Sequence, residues 1–125
     1  MPSLSRLWTP LSKDWSHSMD KVVRNLVWER SKGLCEYCGL PLDEEAWDFH
    51  HRKLRSHGGK DSAENGVALH HFCHLVKIHN HPKTSYANGF MVKSTGNPRE
   101  EKLALYGSIW VYLEAQGTYR EVVNA

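Results

Sequence analysis

No uninterrupted apolar run in this chain of 125 residues reaches the length of about 18 residues that a membrane-spanning helix needs. The opening stretch MPSLSRLWTPLSKDW is polar and lacks the apolar centre of a secretory signal, so the expected setting is the cytoplasm. Cysteine is scarce, and the three present cannot all pair with one another. In a reducing compartment a Cys-x-x-Cys pair points to metal binding or redox chemistry rather than to a disulfide staple. There is no internal repeat and no low-complexity tract. The formal net charge of +2 is too small to argue for nucleic acid by itself. One local absence says more: Arg52, Lys53, Arg55 and Lys60 follow His50 with no acidic residue among them. That run is either a set of phosphate contacts or a solvated basic loop.

What is present suffices for one compact domain with a small appendage. A hydrophobic fraction of 40% and five Trp supply a modest core, and domains of this size often add a structural metal. Residues 1–19 read as an irregular arm, with Trp8 and Trp15 tacking it to the domain. A helix is predicted over about 20–31, where Val22, Val23, Leu26, Val27 and Arg30 recur at helical spacing. Ser18 or Asp20 stands as N-cap, and Gly33 follows the end. A strand around 47–50 should bury Trp47 and Phe49, and a polar, glycine-bearing loop covers 56–65. A short strand at 67–69 and a helix from Cys73 to about His79, ending before Pro82, complete a ββα unit. Further on, 89–92 reads as a strand and 94–101 as a linker. Strands at 103–106, 109–113 and 118–122 form a small antiparallel sheet. The expected architecture is α+β: a core over 20–96 and a C-terminal β-hairpin appendage over 97–125.

Cys35-Glu36-Tyr37-Cys38-Gly39 reads as a tight knuckle that offers two thiolates to a metal. The one remaining cysteine, Cys73, stands three residues after His70, so His70-x-x-Cys73 repeats the spacing of Cys35-x-x-Cys38. Three thiolates and one imidazole make a tetrahedral structural zinc site. His71 is the rival fourth ligand, and Cys73 as a small buried hydrophobe is the bland alternative.

Between the two halves lie groups suited to phosphodiester hydrolysis, which needs a base for water and a cation for the developing charge. Neutral imidazole titrates in the right range for the base, and His51 is the candidate. His50 and His74 are candidate ligands of a divalent metal. Asn65, fourteen residues after His51, can donate and accept at once and so fix the strand that bears His51. Adjacent strand residues face opposite ways, so His50 and His51 both reach one phosphate only at a bulge or a strand end.

At these residues the chain resembles the HNH endonucleases, whose fold is the ββα-metal unit. The shared pattern is His50-His51, Gly58-Gly59, Asn65 and His70-His71-Phe72-Cys73-His74. The resemblance implies a zinc-stabilised DNA endonuclease. His51 would be its base, His50 and His74 its metal ligands, Asn65 its orienting residue, and zinc would sit at Cys35, Cys38, His70 and Cys73. Some members carry a further ligand four residues along the helix. Here that position is Ile78, and His79 lies about 140° round a regular helix from His74. The catalytic cation would be Mg²⁺, Mn²⁺, Ni²⁺ or Zn²⁺, and the ends left would be 5′-phosphate and 3′-hydroxyl. Residues 79–82 and the closing GSIWVYLEAQGTYR are similar to small HNH proteins of bacteriophages, which implies host cytoplasm and a terminase subunit as partner. The rivals are a non-catalytic zinc module that binds DNA or a terminase, and a redox protein using Cys35 and Cys38.

Overall fold

The Asp20 carboxylate starts the first helix by accepting from the amides of Val22 at 2.9 Å and Val23 at 3.4 Å. This satisfies two donors that a helix start leaves unpaired. The helix, α1, runs Lys21–Ser31 and ends where Lys32 turns left-handed at φ 56°. The computed structural model describes residues 20–123, so the expectations for the arm, Ser18, Trp8 and Trp15 lie outside the described residues. No helix among the described residues is long and apolar enough to cross a membrane.

Two strands follow, β1 at Asp48–His51 and β2 at Gly66–Leu69. They pair antiparallel without a bulge, with His50 opposite Val67 and His51 opposite Gly66. Gly66 is required by space, since a Cβ there would fall 2.0 Å from the Phe49 ring. All four residues of β2 are buried. Trp47 is buried as expected, whereas Phe49 is only half-buried and His50 is the closed-off residue. A π-helix then spans Cys73–His79, and α2 spans Pro82–Ala87. The last element is an antiparallel sheet of β3 (Leu103–Leu105), β4 (Ile109–Leu113) and β5 (Tyr119–Glu121). Its Leu103, Val111 and Leu113 share one core cluster with Cys35, Leu69 and Cys73. The C-terminal sheet and the cysteine knuckle therefore pack as neighbours.

Two expectations are corrected and one, the helix end before Pro82, is extended. Residues 89–92 form no strand; Phe90 and Val92 are buried, but in an irregular segment without a partner strand. Pro82 does not only end what precedes it. It occupies the first turn of α2, where its missing N–H is unneeded and its fixed φ is already helical. Arg52 is no phosphate contact, because it is fully buried. Its guanidinium donates to the carbonyls of Gly89 (2.7 Å), Glu64 (2.9 Å), Pro98 (3.1 Å) and Glu101 (2.7 Å). Burial, with the nearby Arg30 cation, pulls its pKa down to about 10, so it stays charged at neutral pH. Arg52 ties the loop after β1 to the segment before β3.

A second buried cation is paired. Arg30 reaches Glu36 through two bonds of 2.9 and 2.7 Å and also donates to the carbonyls of Ala63 and Gly66. Glu36 accepts further bonds from the Ala68 amide and the Tyr119 hydroxyl, so one carboxylate joins α1, the knuckle, β2 and β5. Removing one member strands the other inside. Glu36→Ala is expected to cost about 3–5 kcal/mol in urea unfolding, and a packed double replacement (Arg30→Met with Glu36→Leu) distinctly less. Equal losses for the single and double variants would remove the pair as the cause.

Candidate active site

Two clusters of ligating side chains form among the described residues. In the first, Cys35, Cys38, His70 and Cys73 place one ligand atom each within 4.8 Å of one another. The Nε2–H of His70 donates to the Pro41 carbonyl at 2.9 Å, which leaves Nδ1 unprotonated and 3.4 Å from the Cys38 sulfur. Burial, reinforced by Cys35 and then Cys38, pushes the Cys73 thiol up to about 12. The Cys73 thiol resists ionising without a counter-charge, and a bound cation supplies it. The donor set therefore fits zinc, and the cluster can hold that ion. His71 turns away from it, its Nδ1 2.8 Å from Asp48 Oδ2 and its side chain 71% exposed.

The second cluster is His50, His74 and His79, again within 4.8 Å. Neighbouring hydrogen bonds set the tautomers of two of the rings. His50 donates from Nε2 to the Phe90 carbonyl at 2.6 Å, which leaves Nδ1 as its lone-pair donor. His74 donates from Nδ1 to Asp48 at 2.9 Å, which aims its Nε2 inward. That atom stands 3.1 Å from Nε2 of His79. Burial, the partial charges of His74 and His79 and then that of His51 lower the His50 pKa to about 3, so its imidazole stays neutral. Neutral, converging imidazoles are what a divalent transition-metal ion takes.

His79 joins the cluster through the helix winding. In an α-helix it would lie far round from His74, but the Cys73–His79 turn is π-helical. There the repeat is i to i+5, so residues five apart lie one above the other. The ring centroids of His74 and His79 are 4.7 Å apart as a result.

His51 is on the other face of β1. It is the last residue of the strand, and β1 carries no bulge there. Its ring lies 5.1 Å from Phe49, and its Nε2 meets Asp61 Oδ1 at 2.7 Å. Arg55 Nε is 3.4 Å from the same nitrogen, while Arg55 Nη2 reaches both Asp61 oxygens at 3.0 Å. The shorter carboxylate contact places the proton on Nε2 and leaves Nδ1 free to accept one. Partial burial works against ionising Asp61, but its bonds to His51 and Arg55 outweigh it and hold the carboxyl below its usual range.

Asn65 is buried and touches no imidazole. Its Oδ1 accepts from the Lys53 amide at 2.7 Å, and its Nδ2 donates to the carbonyls of Lys53 and Lys60, both at 3.0 Å. With both amide hydrogens committed, Asn65 holds the loop rather than substrate. Of the basic run, Arg55 is engaged by Asp61, Lys53 donates to the Gly96 carbonyl at 3.0 Å, and Lys60 is exposed.

Two functional carboxylates escaped the sequence reading. Asp48 carried a usable signal, since it lies two residues before His50 and thus on the same strand face. Partial burial opposes its ionisation, but bonds from His74 and His71 prevail and lower its pKa. Asp61 carried no such signal, because nothing in the spacing of a glycine loop says which acid folds back on the strand.

Residues 35–80 match the family model described as HNH endonuclease. That span contains the knuckle, both strands, the loop and the π-helix, and it points to nuclease activity in general. No curated protein matches the chain, and no solved structure does.

Proposed function

We propose that the protein is a metal-dependent endonuclease that hydrolyses DNA phosphodiester bonds by nicking or cleavage. The observation that carries this is the pair of settings on β1. His50 aims a lone pair at a three-imidazole cluster, and His51, the next residue, offers a free Nδ1 backed by a carboxylate. His50, His74 and His79 would hold a divalent cation, whose charge would offset that developing on the scissile phosphate and the leaving 3′ oxygen. His51 takes the proton of the attacking water at Nδ1, and Asp61 steadies the resulting imidazolium. Asp48 orients His74 from behind, an arrangement that raises ligand basicity. Asn65 is a positioning residue for the loop. Cys35, Cys38, His70 and Cys73 would hold zinc, which would fix the start of the π-helix and through it His74. Imidazole ligands favour Zn²⁺, Ni²⁺ or Mn²⁺, whereas Mg²⁺ prefers oxygen and retained waters. A terminase subunit is the proposed partner, on the likeness of residues 79–82 and the closing segment to phage HNH proteins.

The test is conversion of supercoiled plasmid to open circle across a series of these four ions, with metal affinity measured by calorimetry. His79→Ala should weaken binding at the imidazole cluster by at least tenfold. Deleting Lys77 should largely preserve it. Shortening the turn by one residue restores α winding, in which His at i+4 and Ile at i+3 take the places now held at i+5 and i+4. No nicking with any ion would remove the nuclease reading. Affinity unchanged in His79→Ala would remove that histidine from the ligand set.

A further inference from the structure

We propose that a cleft beside His51, half of it built by residues beyond the HNH match, holds a backbone phosphate of the bound nucleic-acid strand next to the one that is cut. This rests on the reading of the site as one that acts on nucleic acid. The cleft is a cavity of about 430 Å³ lined on one side by Lys53, Gly58, Gly59 and Lys60 and on the other by Asn97 and Arg99. Its volume lies in the range of about 300–1,000 Å³ typical of ligand sites.

The cleft is preformed. The buried Arg52 clamps it, joining the carbonyl of Glu64 on one wall to that of Pro98 on the other, and to the Glu101 carbonyl further on. Lys53 Nζ crosses the floor to the Gly96 carbonyl at 3.0 Å. With Lys53 so engaged, Lys60 and Arg99 are the cations left at the rim. Arg99 is 65% exposed and spends only its Nε on Glu64, at 3.2 Å. Its two Nη groups remain as a fork that matches two phosphate oxygens. Gly58, at φ 89°, has nothing within 4 Å of where a Cβ would stand, so the loop backbone is open to a ligand.

Lys53, Lys60 and Arg99 outnumber the carboxylates at the cleft, those of Glu64 and of Glu101 beside Gly96, which suits an anion. The cleft also adjoins the catalytic loop, because Asp61, the neighbour of Lys60, is the residue that holds His51. A phosphate on the same strand as the scissile one meets both conditions. Contacts of this kind fix register and carry little sequence information.

The experiment measures binding of the full chain to a labelled duplex across a potassium chloride series without added divalent ion. Lys60→Ala and Arg99→Ala should each weaken binding, and the double variant should reduce the slope of log K against log salt by about one, the loss of one neutralised phosphate. Arg99→Lys should keep the slope, and so should Lys83→Ala, an exposed lysine of α2 outside the cleft. Competition by inorganic phosphate at millimolar concentration should be weak, since one anion lacks the rest of the strand. Wild-type slopes in the double variant would overturn the proposal, as would an equal change in Lys83→Ala or phosphate displacing the duplex outright. Plasmid nicking is scored separately. Reduced slopes without any nicking by the wild type would leave strand binding at the cleft and remove cleavage, whereas nicking with unchanged slopes would remove the cleft alone.

Discussion

Cys35→Ser or Cys73→Ser, or removal of zinc by a strong chelator, should abolish the cooperative melting transition of this protein. The two sulfurs are not surface ornaments. Cys35 is 0% and Cys73 7% exposed, and both lie in the main core cluster with Val67, Leu69 and Leu103. A structural zinc site contributes about 10–16 kcal/mol of apparent binding free energy near neutral pH. A domain of this size has a net stability of about 5–15 kcal/mol, so zinc at this site would account for most or all of it. Without the ion, three thiols and an imidazole remain packed together. The raised Cys73 thiol shows how poorly that setting tolerates a lone thiolate. Cys38 is exposed and should be less damaging, though it still removes a ligand. Circular dichroism melts with and without chelator, together with release of one zinc per chain by a thiol reagent, measure this. A chelator-treated protein that melts as before, with thiols that oxidise reversibly, would instead support the redox reading.

How far the sequence spoke for the structure follows from the range of the interactions involved. Short, chemically distinctive spacings were legible: Cys35-x-x-Cys38 against His70-x-x-Cys73, the paired His50-His51, and the strand-like runs of β3 to β5. Each depends on residues close in sequence whose chemistry has few other uses. Features decided by distant neighbours were not legible. Arg52 sits in a basic run and reads as solvated, yet it is buried because four carbonyls, three of them from residues 89–101, converge on it. The phase of His79 depends on one extra residue in a helical turn, and local propensity does not reveal π winding. The apolar stretch at 89–92 has strand-like composition, but strand formation needs a partner edge, and β1 and β2 pair only with each other among the described residues. Asp61 and Glu36 are single acids whose importance appears only once the chain has folded around them.

His51→Ala should lower plasmid nicking by about 10²–10⁴-fold, the usual contribution of a positioned general base. The same variant should leave metal affinity nearly unchanged, and this division is the sharper part of the test. It follows from β1 itself. Because the strand is regular up to its end, His50 and His51 project to opposite faces, one into the imidazole cluster and one toward Asp61. His50→Ala should therefore show the converse pattern, with activity lost through weakened metal binding and partly restored at high metal concentration. Asp61→Asn tests the hydrogen bond between them. It keeps the shape of the loop but removes the charge that favours the imidazolium, so it should lower the rate by less than His51→Ala while leaving metal affinity alone. If His51→Ala nicked as well as the wild type, the base would have to be sought elsewhere. If it lost metal affinity as severely as His50→Ala, the two faces of β1 would not be the separate stations their geometry makes them.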